Sequence, residues 1–298
     1  MTAPMNENLS ADTVEQTQRS LHLGLAMLNR ARLTPCLPED DETAGLDLRR
    51  LLEDEARFLR AMRARVAPAV ALAPEDPVAF VSWFEGLERT GPGQGDRLFS
   101  WLAHEAPREA MCWFLEQEAA GEAGFEDLTA LVQVRMPTRP KLELARNYWD
   151  EMGHGREPGM HGPMLEHLVH ALGLEPRPET TVWQSLALAN TMAGLASNRH
   201  LAFHAIGALG VIELTAPGRA ALVAAGLKRL GVGPDDRHYF DLHAVLDVRH
   251  SATWNTEIIG PLVAEDPRRA KAIAEGALMR LECGAACFWR YRDHFGIY

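Results

Sequence analysis

The stretch 239–250, YFDLHAVLDVRH, constrains the fold more than any other part of the chain. His243, Asp247 and His250 stand at i, i+4 and i+7, which puts all three on one stripe of a single helix. Phe240, Leu242, Val245, Leu246 and Val248 surround the stripe, a pattern that predicts a helix buried on most sides. Polar groups carried into a core need partners, because an unpaired buried charge is expensive. Two imidazoles and a carboxylate make a metal half-site, an acid–base cluster or a polar seam, unless the face is solvated and the histidines incidental. In the first three cases the missing partners have to come from neighbouring helices.

Those neighbours are legible as helices. Apolar residues recur with a helical period almost throughout, and β-type alternation is essentially absent. Helices are expected over 10–33, 46–66, 78–87, 97–134 (interrupted at Pro107), 141–152, 160–172, 179–197, 199–214, 217–230, 235–257 and 266–294. The breaks fall at PCLPEDD (35–41), RTGPGQGD (89–96), MPTRP (136–140) and GHGREPG (153–159), all rich in turn formers. Residues 1–9 are expected to be disordered. The rest reads as one all-α, multi-helix domain, with N-terminal helices over 10–96 and a core over 97–298. Gly231, Gly233 and Pro234, just before the polar stripe, predict that its helix is mobile.

Bulk properties narrow the function. The 298 residues are 47% hydrophobic and 24% charged, a globular composition. A net charge of −11 argues against nucleic acid or an anionic membrane as partner. No signal peptide and no 18-residue apolar run is evident, so the expected location is cytoplasmic. Cys36, Cys112, Cys283 and Cys287 form no disulfide framework, and the last two read as buried thiols.

Candidate partners for the stripe are polar residues in apolar settings. Glu213 follows a nearly unbroken apolar and glycine run, so pairing or metal ligation is the better reading. Glu151 stands before both His154, at Glu-x-x-His spacing, and His161, across a Gly/Pro break that lets the chain return. Spacing alone does not choose between them. Glu122 lies about as far before the 136–140 turn as Glu151 lies after it, so an antiparallel helix pair would bring the two together, with Glu118 as the fallback. Asp241, Asn255 and Glu257 are the acceptors nearest in sequence to the stripe histidines. His200 and His204 read as core residues or supports for a ligand rather than ligands, and Tyr148, Trp149, Tyr239 and Trp254 mostly as core aromatics. Arg146, Arg199 and Arg249 could each bind a carboxylate, and none is assigned to substrate.

Taken in order, Glu151 and His161 in DEMGHGREPGMH, Glu213 in GVIELTAP, and His243, Asp247 and His250 in HAVLDVRH resemble the haem-oxygenase-like di-iron oxidases and oxygenases. The resemblance covers roughly 97–260 and implies a haem-oxygenase-like helical scaffold. It selects His161 over His154, which becomes a supporting residue with Asp241, and makes Glu122 a further possible ligand. It implies two Fe(II) ions with O2 as co-substrate, an external electron donor and a small-molecule substrate; a homodimer stays open. The activity it implies is oxygenation of a small amine or amino-acid-derived substrate at nitrogen, through a peroxo-di-iron(III) species. Oxidative fragmentation or desaturation of an amino or fatty acid is the alternative, and a metal-independent helical binding protein is the alternative of another class.

Overall fold

In the computed structural model, residues 11–298 are described; the expectation for 1–9 and the start at Ser10 lie outside them. Thirteen α-helices appear among these residues: α1 Ala11–Leu33, α2 Leu48–Val70, α3 Pro77–Thr90, α4 Arg97–His104, α5 Arg108–Gly121, α6 Phe125–Val132, α7 Thr138–Glu151, α8 His161–Ala171, α9 Trp183–Ser197, α10 Ala202–Arg229, α11 His238–Thr253, α12 Gly260–Glu265 and α13 Arg268–Phe295. A π-helical turn, Trp254–Ile259, joins α11 to α12. No strand occurs among the described residues, and Met152 and Met160 form an isolated antiparallel bridge.

Local chemistry sets the boundaries. Asp47, Asp76 and Asp96 cap α2, α3 and α4 by accepting backbone N–H groups of the first turn. The expected helix over 97–134 is three helices instead. Pro107 ends the first segment, and Gly124, at φ 73°, separates α5 from α6. Conversely, the segments expected over 199–214 and 217–230 are a single helix, α10, with Pro217 inside it. That proline cannot donate to the carbonyl of Glu213, four residues back, so the helix is weakened beside a candidate ligand.

Helix α10 is the axis of the bundle, packed against α13, α11, α9 and α4. It is long and apolar enough to cross a membrane by composition, but here it is the mostly buried core helix. Two apolar clusters lie along it. One joins α2, α3, α12 and α13 through Leu59, Phe80, Phe84, Ile206, Ile259 and Ile273. The other joins α4, α5 and α13 through Leu98, Phe99, Phe114, Leu227 and Phe288.

The crossing of α10 and α13 is made by glycine. A Cβ on Gly207 would fall 1.9 Å from the carbonyl oxygen of Ile273, and one on Gly276 would fall 1.8 Å from that of His204. Backbone meets backbone there. The same crossing is tied by His204 Nε2, 2.8 Å from Glu275 Oε2, which also accepts from Arg63 Nε at 2.6 Å. His204 is therefore a buried structural residue. Cys283 and Cys287 are buried and, like Cys36 and Cys112, unbridged.

Helix α11 is less enclosed than its sequence predicts: Val245 is 74% and Val248 61% exposed, so only one face meets the bundle. Trp149 is also half exposed, with its ring edge-on to His154, rather than a core aromatic.

Gly207→Ala is expected to destabilise the fold by about 1–3 kcal/mol, because the backbones at the crossing must separate. Gly86→Ala in α3, where an added Cβ meets nothing within 4 Å, should stabilise by up to ~1 kcal/mol. Urea-denaturation midpoints of the two variants check the contrast.

Candidate metal centre

Four segments deliver the six residues. Glu151 ends α7, His161 begins α8, Glu213 lies mid-way along α10, and α11 supplies His243, Asp247 and His250. Five of the six are buried, and His243 is partly so. Between Glu151 and His161 the chain leaves and returns through a closed loop. Gly153, at φ 57°, packs its backbone so tightly on Gly159 that a Cβ would lie 2.2 Å from the Gly159 carbonyl carbon. The Met152–Met160 bridge closes the loop and brings Glu151 beside His161. His154, at φ 55°, points outward with its side chain 66% exposed.

The donor atoms face one another. His161 Nδ1 lies 2.5 Å from Glu151 Oε2 without the alignment of a hydrogen bond. His250 Nδ1 lies 3.4 Å from Glu213 Oε1 and 3.8 Å from Glu151 Oε1. The ligand atoms of Glu151, His161 and His243 lie within 4.8 Å of one another, and so do those of Glu151, Glu213 and His250. Glu151 belongs to both groups, so two sets of donor atoms, each able to hold a cation, are adjacent and share one carboxylate. Asp247 is buried beside them, and the charges of Glu213, Glu151 and His250 all act on it.

Hydrogen bonds outside the cluster fix which ring nitrogen points in. His243 Nδ1 donates to the Tyr239 carbonyl at 2.6 Å, which leaves Nε2 as its ligand atom. His250 Nε2 is 3.1 Å from Asp150 Oδ2, which leaves Nδ1 facing Glu213. Asn147 Nδ2 donates to Glu213 Oε1 at 2.6 Å. Such outer contacts orient ligands and raise their basicity. His161 Nδ1, His250 Nδ1 and Asp247 Oδ1 are buried with no hydrogen-bond partner. Three carboxylates and three imidazoles with unpartnered atoms converging on shared positions fit a pair of divalent iron ions.

Burial, then the Glu213 charge, pushes the Glu151 carboxyl up to about 9. Asp247 is pushed up to about 9 by burial and by Glu213 and Glu151. Burial holds His161 and His243 down to about 4. Burial also depresses His250, but the carboxylates of Glu213, Asp150 and Glu151 outweigh it and raise the ring to about 9. A bare cluster therefore keeps protons where a loaded one would hold cations.

The supporting residues differ from those the sequence suggested. Asp241 is two positions from His243, on the other side of α11, and pairs with Arg237 at 3.0 Å. Glu257 pairs with Arg139, and Asn255 donates to Glu85. The acceptors used are instead a carbonyl one turn back and Asp150, the neighbour of a ligand. His154 reaches the cluster only through Asp150, 3.3 Å from Nε2.

Glu122 lines the same cavity as Glu151, reached by a different path from the one counted. Equal-rise counting assumed one helix, but α5 ends at Gly121 and Glu122 is its C-cap, accepting the Gly124 N–H at 3.2 Å. Its carboxyl lines that cavity beside Tyr239, raised to about 7 by burial and by Glu126. Glu126, in the first turn of α6, is the acid whose charge reaches both His161 and Glu151, and its Oε1 sits over Gly162. Glu118 accepts from Tyr291 Oη at 2.9 Å, deeper in the same cavity.

The cavity, about 160 Å3, adjoins the cluster, with Glu151, Glu213, His243 and Asp247 in its wall. Phe99, Phe114, Leu209, Ile212, Phe240 and Phe288 make most of the remainder apolar. Two arginines also line it, Arg219 and Arg280, neither of which sequence reasoning singled out. Arg146, Arg199 and Arg249 lie elsewhere: on Glu143, on the carbonyls of Leu131 and Val134, and near Asp150 with a mostly exposed side chain.

The sequence model of a family described as iron-containing redox enzyme matches residues 112–285. Two crystal structures of a CADD-like protein of unknown function from Nostoc punctiforme, at 2.00 and 1.35 Å resolution, share the fold with TM-scores of 0.52 and 0.50 at 15% identity. The likeness covers 81% of this chain and 98% and 96% of theirs. At that identity it speaks for the architecture alone, an all-α, haem-oxygenase-like bundle. No curated protein matches the sequence.

Two outcomes follow from this geometry. Between about pH 6.5 and 9, folded metal-free protein holds protons on Glu151, Asp247 and His250 that the unfolded chain releases. Its melting temperature should fall as pH rises through that window. Ligation needs those protons gone, so the gain in melting temperature on adding anaerobic Fe(II) should widen with pH; a gain independent of pH contradicts the protonation scheme. Asp150→Asn should weaken iron binding ~10- to 100-fold without unfolding the chain, measured by competition with a chelator.

Proposed function

The chain belongs to the iron-containing redox enzyme family, and on that premise we propose that it is an O2-dependent non-haem di-iron oxygenase acting at the nitrogen of a small amine or amino-acid-derived substrate. The observation that carries this reading is Glu151, common to two three-residue donor groups, with His161 and His243 on one side and Glu213 and His250 on the other. Two Fe(II) ions held there would supply the electrons and open coordination positions that O2 reduction requires.

The protein's own residues hold and orient. Asp150 and the Tyr239 carbonyl keep His250 and His243 in the ligating tautomers, and Asn147 steadies Glu213. The apolar walls limit water beside the cluster. Nitrogen is nucleophilic only when unprotonated, and the Glu122 carboxylate, in the cavity wall, is an acceptor for the proton of a substrate ammonium. Acids beyond the six, Glu122 and Glu126, support oxygenation at nitrogen over the fragmentation or desaturation alternative. The cavity is close to the ~150 Å3 that accommodates benzene, which suits a small substrate better than a long fatty acid. A metal-independent binding role leaves the inward aim of six donor atoms without a purpose.

Fe(II)-loaded protein should hold about two irons per chain and consume O2 faster with the correct amine, giving a product heavier by one oxygen. His243→Ala and Asp247→Ala should lower the iron content and abolish turnover. Saturation well below two irons in folded wild-type protein contradicts the di-iron reading. Glu126→Gln should reduce iron retention more than Glu122→Gln, whereas Glu122→Gln should cut oxygenated product at unchanged iron content; metal analysis and mass spectrometry separate the two.

A further inference from the structure

The cavity that the candidate metal ligands border also carries two cations. Arg219 projects from α10 and Arg280 from α13, both into the space that Glu213, His243 and Asp247 border. Among the described residues neither guanidinium comes within 4.0 Å of a carboxylate oxygen. Arg219 gives one N–H to Thr215 Oγ1 at 2.9 Å and lies over the rings of Phe99 and Phe288, 5.8 and 5.4 Å from their centres. These contacts fix the plane of the guanidinium and leave most of its fork unused. Arg280 Nε is buried with no hydrogen-bond partner. Burial and the neighbouring Arg280 charge hold Arg219 down to about 9. The nearest acid, Glu118, is engaged by Tyr291 Oη and is itself raised by burial toward its neutral form. Two adjacent cations in a largely apolar chamber with no carboxylate in ion-pair contact are costly, and a bidentate oxyanion is the chemistry their forks match.

We propose that Arg219 and Arg280 form the receptor for the carboxylate of the substrate, with its apolar body lying along the cavity and its reacting nitrogen toward the candidate metal ligands. This inference rests on the oxygenase reading above for the identity of the reacting atom. The Arg219 side chain turns back along α10 to Thr215, two residues beyond Glu213, so the receptor and the candidate ligands face the same chamber. A small amino acid or aryl-amine acid, with its carboxylate on the guanidinium pair, is the class of substrate this fits.

The test uses 3-(4-aminophenyl)propanoate and its neutral primary amide, titrated calorimetrically into the full chain, both metal-free and loaded with Fe(II) under argon. The acid should bind at least tenfold more tightly than the amide in both forms, so that ligation of iron by the carboxylate does not explain the preference. R219Q and R280Q should each weaken the acid at least tenfold, leave the amide unchanged and keep the wild-type iron content, which also reports that they fold. Equal binding of acid and amide by the wild-type chain, no binding of the acid, or acid binding indifferent to both substitutions overturns the proposal. The acid–amide comparison needs no variant. Loss of iron binding by the wild-type chain with the acid preference intact would instead remove the oxygenase reading and leave the carboxylate receptor standing.

Discussion

Burying acids and imidazoles together in the middle of an apolar helical bundle is the constraint on which the rest depends. Glu151, Glu213 and Asp247 lie within reach of one another, where like charges in a poorly solvated space repel strongly. Only protons or cations make that arrangement tolerable. Without an ion the first solution holds, with protons on Glu151, Asp247 and His250; the surrounding contacts orient the cluster for the second. Asp150 and the Tyr239 carbonyl turn the histidine donor atoms inward, and Asn147 spends a hydrogen bond on a Glu213 oxygen instead of neutralising it. Donor atoms held inward without partners are the mark of a site whose partner is an ion.

The scaffold serves that purpose through close backbone approach. Glycines at the α10–α13 crossing let the two longest helices touch without side chains between them. Farther along the same two helices a cavity lies beside the cluster, bordered by Arg219 from one helix and Arg280 from the other. Acidic ligands and a guanidinium pair bordering one chamber give it a direction. A substrate with one anionic end has a single favourable orientation in it.

Much of this was legible in the chain. The stripe at His243, Asp247 and His250 needs only a helical period to be seen, and Glu213 stands out because its neighbours are apolar. Other features were hidden by the same local reasoning. Counting equal rise across 122–151 presumes an unbroken helix, whereas Gly124 in the left-handed region starts a new one and brings Glu126 forward. The choice between His154 and His161 turns on a loop closed by Gly153 against Gly159, a tertiary contact that residue spacing does not encode. Asp150 sat unnoticed beside Glu151 because the search for acceptors stayed near the histidines in sequence. Arg219 and Arg280 each interrupt an apolar run, the same signal that exposed Glu213, but arginine on a helix ordinarily snorkels outward.

Helix α11 has unequal ends. The π-helical turn that follows it carries Trp254, fully buried, with Nε1 donating to the Ile206 carbonyl at 3.2 Å and its indole against Gly210. At the other end the chain enters through Gly231 and a short turn, and the outer face of the helix meets solvent. His250 is one turn from the Trp254 anchor and His243 about three. The donors Glu213 and His250 are therefore seated beside the anchor and His161 and His243 furthest from it, an asymmetry that a symmetrical set of donors would conceal.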